Sequence, residues 1–252
     1  MTNKLKYFIG NWKMFGDFSS FKIINEVNKY IYKSKKHAKK KIVLCVPNTL
    51  IHFYKQKLRS KLISLGAQNC HFHEGYGAFT GAVSATMLKR LGAEYIILGH
   101  SENRFEGETN QIIKKKILSA LNQKLKVIFC IGETFNEKKN GKTRSILRKQ
   151  IKSSLQKKFN KNQIILAYEP VWSIGTNKIP KISELENIIK FIKKDFKFFF
   201  KTSKAPKVLY GGSVNPKNIT SLSSISEIDG FLIGGASQSS KKFIDIIENY
   251  YK

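Results

Sequence analysis

The chain has 252 residues, 41% of them apolar, and sets 46 basic side chains against 17 acidic ones, a net charge of +29. That length suits a single closed α/β barrel, and the apolar share allows a sizeable core. No run approaches the ~18 apolar residues of a membrane span, and the polar, basic start from Met1 to Lys6 lacks the hydrophobic stretch of an export signal, so neither route is expected.

Residues 7–11 form the first short apolar run, ending in Asn11-Trp12-Lys13. Residues 18–33 read as a helix, with Phe21, Ile24, Val27, Asn28 and Ile31 on one stripe. Strand candidates follow at 42–46, 64–68 and 95–99, and the last of these runs into Leu98-Gly99-His100-Ser101-Glu102-Asn103-Arg104. Ile112, Ile113, Lys116, Ile117 and Leu121 mark a second helix. Strands at 127–131 and 164–168 come next, the second ending in Glu169-Pro170. A long helix at 183–199 has Ser183 as its expected N-cap, with Glu184 and Glu186 in its first turn. Strands at 208–211 and 231–234 each run into a glycine pair, and Phe243, Ile246, Ile247 and Tyr250 close the chain on a helix.

Most of these strands are continuously apolar, the pattern of parallel strands buried on both faces. Eight of them alternating with helices predict a closed, parallel, eight-stranded (β/α)8 barrel with right-handed crossovers. Nothing in composition breaks the chain, so residues 1–252 read as one domain. Chemistry in such a barrel sits at the C-terminal ends of the strands.

At those ends, Lys13 is suited to stabilise an oxyanion, although one lysine among so many reads equally as a surface residue. His100 suits electrophilic or acid/base work or a structural role. Ser101, adjacent on a strand, would point away from it and is not its nucleophile. Glu169, fixed by Pro170 just past a buried strand, is a general-base candidate. Residues 171–177 follow it with Trp172, Ile174 and Gly175, apolar bulk and a tip glycine that suit a lid. The pairs Gly211-Gly212 and Gly234-Gly235 let backbone approach an anion, and their position after the last two strands fits a phosphate site.

The charge is nearly all lysine, with arginine only at Arg59, Arg90, Arg104, Arg144 and Arg148. Scattered lysine argues against specific nucleic-acid recognition and for a general attraction of small anions. The short clusters 39–41 and 114–116 read as solvated faces. Three cysteines without an export signal point to a reducing cytoplasm, with Cys45 and Cys130 as small buried hydrophobes. His71 and His73 lack an evident third ligand and read as loop or interface residues, not as a metal pair.

Seven segments carry a family likeness: residues 8–13, 77–81, 98–104, 130–133, 168–176, 210–214 and 234–237. In order and along the whole chain, they resemble the triosephosphate isomerase family. The resemblance implies proton transfer between neighbouring carbons of dihydroxyacetone phosphate and glyceraldehyde 3-phosphate, a step of glycolysis and gluconeogenesis. It implies Glu169 as base, neutral His100 as electrophile, and Lys13 with Asn11 as stabilisers of the enediolate. That division of labour, with its water-excluding loop, is the described pattern of the family itself. Glu102 matches a carboxylate that supports the lysine. The backbone of Gly175, Ser213, Gly234 and Gly235 would hold phosphate, and Ile174 and Leu232 would dry Glu169 beneath the lid that Trp172 begins. No metal or cofactor is implied. A homodimer through the loop from Gly75 to Ser84 is.

Four departures stand out. Ala82 and Asn103 replace a charged pair that family members place across the dimer interface; with both charges gone, none is left unpaired. Ser173 replaces a usual alanine. Asn177 replaces a usual glycine, and asparagine tolerates the positive φ expected there. Pro180 at the far hinge is expected to restrict lid opening. The alternatives are another phosphate-binding barrel enzyme, which has no need of the 169–176 segment, and a basic nucleic-acid-binding protein.

Overall fold

A strand covered on both faces has no polar side to present, and runs of Ile, Val and Leu accordingly form the sheet. The computed structural model describes residues 5–34, 39–58 and 60–252; the readings of residues 1–4 and of Arg59 lie outside them. The strands are β1 (Lys6–Asn11), β2 (Lys40–Cys45), β3 (Ile63–Ala67), β4 (Tyr95–Leu98), β5 (Lys126–Ile131), β6 (Ile164–Tyr168), β7 (Lys207–Tyr210) and β8 (Gly230–Ile233). Each is parallel to its neighbours in chain order, and β8 pairs with β1 to close the barrel. The expected fold class is the observed one.

Alternate residues of each strand serve two cores, because successive side chains point to opposite faces. Ile9, Val43, Ile97, Ile128, Ile165, Leu209 and Leu232 form a cluster made of strand residues alone, which places it inside the barrel. Their neighbours Phe8, Leu44, Leu98, Phe129, Leu166, Tyr210 and Ile233 pack outward with Ile24, Val27, Ile113, Ile189 and Ile246 of the surrounding helices.

Those helices are α1 (Phe21–Lys33), α2 (Asn48–Lys57), α3 (Ala85–Leu91), α4 (Ser101–Phe105), α5 (Asn110–Asn122), α6 (Phe135–Lys139), α7 (Thr143–Ser154), α8 (Ile182–Phe200), α9 (Ile219–Ser223) and α10 (Ser240–Tyr250). Four expectations need correction. Ser183 lies inside α8: Lys181 takes the cap position without a side-chain hydrogen bond, and only Glu184 falls in the first turn. Lys116 is not solvated. It is buried on the inner face of α5, where Glu108 and Asn69 accept from its ammonium. Lys40 and Lys41 open β2 and belong to no helix. Ser101 starts α4, so helix geometry and not strand alternation separates it from His100.

At the barrel floor, Asp229 accepts from Lys207 Nζ at 3.1 Å and from the Val208 N–H at 3.0 Å. Lys6, 2% exposed, donates to the Ile228 carbonyl across the β1–β8 seam. Among the described residues no helix is long and apolar enough to cross a membrane.

Candidate active site

The strand ends converge on one cavity of about 940 Å³ at the C-terminal mouth. Asn11, Lys13, His100, Glu169, Ile174, Gly175, Ser213, Leu232, Gly234 and Gly235 all line it. Of the sequence-read site residues, Glu102 and Trp172 do not. Glu102 instead lines a neighbouring hollow of about 300 Å³ that shares Asn11, Lys13 and His100, and Trp172 turns its Nε1 to Glu133.

Glu169 is 3% exposed, and its backbone is locked from both sides. Its N–H donates to the Ile131 carbonyl at 2.8 Å, and the Gly211 N–H donates to Tyr168 at 2.8 Å. Its side chain fills space that Gly211 leaves open, and its backbone carbonyl fills space that Gly132 leaves open. A Cβ on Gly211 would lie 2.7 Å from Glu169 Cγ, and one on Gly132 would lie 1.8 Å from the Glu169 carbonyl oxygen. Sequence reasoning placed both glycines in recognisable segments but missed this role. The carboxylate oxygen Oε1 is 3.3 Å from His100 Nε2. The other oxygen, Oε2, is buried without a hydrogen-bond partner among the described residues.

His100 occupies the N-cap of α4, where its Nδ1 accepts the Glu102 N–H at 3.3 Å. A ring that accepts at Nδ1 carries its hydrogen on Nε2, the nitrogen facing Glu169 and the cavity. Its affinity for a second proton is contested. Burial is the largest influence and lowers its pKa, but Glu169 and Glu102 raise it against Lys13, and the net direction is upward. Glu102 Oε2 also lies 3.5 Å from Nδ1. In its neutral, Nε2-protonated form the ring can donate into the cavity.

Lys13 reaches the mouth in a left-handed backbone conformation, φ +57°. For a non-glycine residue that costs about 1–3 kcal/mol and persists only where surrounding contacts impose it. Here the Lys13 N–H donates to Asn11 Oδ1 at 3.2 Å and its ammonium pairs with Glu102. Facing this group, Gly175 has φ +70° at the lid tip and Asn177 has φ +59°, as the sequence led one to expect.

The start of the segment expected to form a lid is anchored by a residue to which the sequence analysis gives no role. Buried Glu133 accepts from Trp172 Nε1 at 3.0 Å and from the Tyr168 hydroxyl at 3.2 Å, and its carbonyl accepts the Val171 N–H at 3.0 Å. Burial raises the Glu133 carboxyl, while those donors and Lys138 oppose the rise. Lys138 itself sits 3.9 Å from the Trp172 ring centroid and pairs with Glu184 at 2.9 Å. Cys130, beneath Glu169, is pushed well above the ordinary thiol range by burial and then by that carboxylate, in keeping with a packing role. His71 and His73 stack on Phe79 at 4.5 and 4.8 Å, as loop residues.

A family model described as Triosephosphate isomerase matches residues 6–250. The triosephosphate isomerase of Dictyoglomus thermophilum is 41% identical over 97% of this chain and 99% of its own. That of Alkaliphilus metalliredigens is 38% identical over 94% of this chain and 96% of its own. The crystal structure of triosephosphate isomerase from Bartonella henselae superposes with a TM-score of 0.88 at 35% identity, covering 98% of this chain and 99% of that one.

Proposed function

The chain belongs to the triosephosphate isomerase family and interconverts dihydroxyacetone phosphate and D-glyceraldehyde 3-phosphate, and from that premise we propose that Glu169 is the base that carries the proton. The observation behind this reading is the 3.3 Å approach of Glu169 Oε1 to His100 Nε2 at the wall of a cavity that Lys13 and the glycine loops also line.

Glu169 removes a proton from the carbon beside the substrate carbonyl. The C–H electron pair becomes the double bond of an enediolate, and negative charge gathers on the former carbonyl oxygen. His100 donates its Nε2 hydrogen toward that oxygen, and the Lys13 ammonium with the Asn11 amide stabilises the charge. A proton then passes from the hydroxyl oxygen on the first carbon to the former carbonyl oxygen by way of His100 Nε2, and Glu169 returns the carbon-bound proton to the neighbouring carbon as the new carbonyl forms. Glu102 orients Lys13 through their ion pair and His100 through its N–H. Backbone N–H groups of Gly175, Ser213, Gly234 and Gly235 hold the phosphate. Residues 170–180 close over the site, with Trp172 at the hinge and Ile174 and Leu232 drying Glu169. Exclusion of water protects an intermediate that would otherwise shed its phosphate. The positive field of a +29 chain draws in the anionic substrate.

The assembly we propose is a homodimer through the loop from Gly75 to Ser84. Met14, Phe15, Tyr76, Phe79 and Phe105 stand exposed, as apolar surface that a second copy would cover. Arg90 braces the loop by donating to the Tyr76 hydroxyl at 2.6 Å. With Ala82 and Asn103 in place, that interface holds without the usual charged pair. A fully active monomer in sedimentation would overturn this. The three buried free thiols support a cytoplasmic location.

A coupled isomerase assay on Glu169→Asp and Glu169→Gln tests the base. Absence of turnover in the wild type, or full rate in Glu169→Gln, would defeat the assignment.

A further inference from the structure

Ser173 stands where alanine is usual, and its hydroxyl is committed three times over. It donates to the Lys178 carbonyl at 2.6 Å, lies 3.0 Å from the Tyr210 hydroxyl, and accepts the Ser213 N–H at 3.3 Å. A hydroxyl has one hydrogen and two lone pairs. With that hydrogen on the short contact to Lys178, Tyr210 must donate the second bond, and every site on Oγ is used. Ser173 is wholly buried, so water cannot substitute for any of the three.

The partners lie in two places. Residues 173 and 178 flank the exposed lid tip at Gly175 and Asn177. Tyr210 and Ser213 flank the glycine pair that follows β7. The gap is closed to anything larger than glycine at 212, where a Cβ would meet the Tyr210 hydroxyl at 2.2 Å and Ser173 Oγ at 2.6 Å. The Tyr210 hydroxyl has Ser173 as its one hydrogen-bond partner among the described residues. A single side-chain oxygen thus joins both ends of the lid tip to the loop that carries a phosphate-binding N–H.

We infer that Ser173 is a positioning residue that couples phosphate binding to the lid. Substrate phosphate claiming the Ser213 N–H has to take it from Ser173 Oγ, which then keeps only Lys178 and Tyr210. The lid is held by the same atom that yields to the substrate, so arrival of the phosphate resets the contact that places residues 170–178 over Glu169. This rests on reading those residues as the lid and Ser213 as a phosphate donor.

The test uses Ser173→Ala, Tyr210→Phe and the double variant in the full chain, with inorganic phosphate as probe. Emission of Trp172 reports on the hinge, with Trp172→Phe as the blank for Trp12, which is buried in the core. In the wild type, Trp172 emission should shift with a midpoint equal to the inhibition constant of phosphate. In Ser173→Ala the shift should shrink by about half or more, kcat should fall about five- to tenfold, and phosphate should inhibit as well as before or up to about threefold better, because its N–H no longer has to be released. Groups in one network lose their effect together, so the double variant should be no slower than the poorer single one. The inference is overturned if Ser173→Ala keeps wild-type kcat and the full emission shift, if the two single losses multiply, or if the variant merely melts earlier with its phosphate response intact. Failure of the wild type itself to respond to phosphate would overturn the lid reading, and this inference with it.

Discussion

The two walls of the mouth cavity are built on opposite plans. On one wall Asn11, Lys13, His100 and Glu169 are proposed to act through side chains; three of them are buried and all are fixed by hydrogen bonds, ion pairs or glycine gaps. On the other, Gly175, Ser213, Gly234 and Gly235, proposed to act through backbone, are partly or fully exposed. Proton transfer depends steeply on where one carboxylate sits, so its wall is packed. Holding a dianion needs several N–H groups that converge, each replaceable in part by the others, so its wall can be looser. A Cβ on Gly211 or Gly132 would collide with Glu169, whereas one on Gly235 would meet nothing within 4 Å.

The comparison can be broken by substitution, taken here from the largest expected effect. Glu169→Gln removes the base and should cost about 10²–10⁴-fold in kcat, with KM little changed. Gly211→Ala leaves every proposed reacting group in place but sets a methyl 2.7 Å from Glu169 Cγ. A misplacement near 1 Å costs about 100-fold, which is the expected loss in kcat; retention within about twofold would mean that the carboxylate wall is not tightly packed. Gly235→Ala meets no atom within 4 Å and should fold normally. Its effect should fall on KM, about three- to tenfold, where the added methyl hinders the phosphate. A kcat loss as large as that of Gly211→Ala would erase the distinction between the walls.

The smallest effect is in pH dependence. Glu169 and Glu102 raise the His100 pKa on balance, and the proposed mechanism uses the neutral ring. The rate kcat/KM should therefore fall, as pH drops, from above the ordinary imidazole range. Glu102→Gln removes one of the raising charges, so the fall should begin at lower pH. A limb that stays put, or moves upward, would show that His100 does not set it.

How much could be read from sequence differs between the walls in the same way. Glu169, His100, Lys13 and Asn11 are visible as residue types with chemistry, each past an apolar run, and all four meet in space. All eight strands fall within two residues of their expected limits, because burial on both faces leaves a continuous signal. The backbone wall is visible only as glycines, whose purpose varies with place. Gly234 and Gly235 line the cavity, whereas Gly211 and Gly132 make room for Glu169. Ser173 and Asn177 both stood out as unusual. Asn177 was interpretable because positive φ is a local property. Ser173 was not, since its partners Tyr210 and Ser213 are supplied by a loop about 40 residues on, whose place the fold alone decides. The α8 cap was misread because a serine before acidic residues looks like a cap, and which residue lies outside the first turn is set by how the chain leaves Pro180.

The seam between β1 and β8, pinned by Lys6 on the Ile228 carbonyl, has a consequence for the order of assembly. These partners are 222 positions apart, so β1 leaves the ribosome long before the strand that completes it. Until β8 arrives, one edge of β1 shows unpaired N–H and C=O groups, which are a template for another chain's strand. Closing so long a loop is slow, and the half-made sheet is the species most open to misassociation. A lysine at this edge keeps a charge on the unfinished rim and is buried only when the ring is complete.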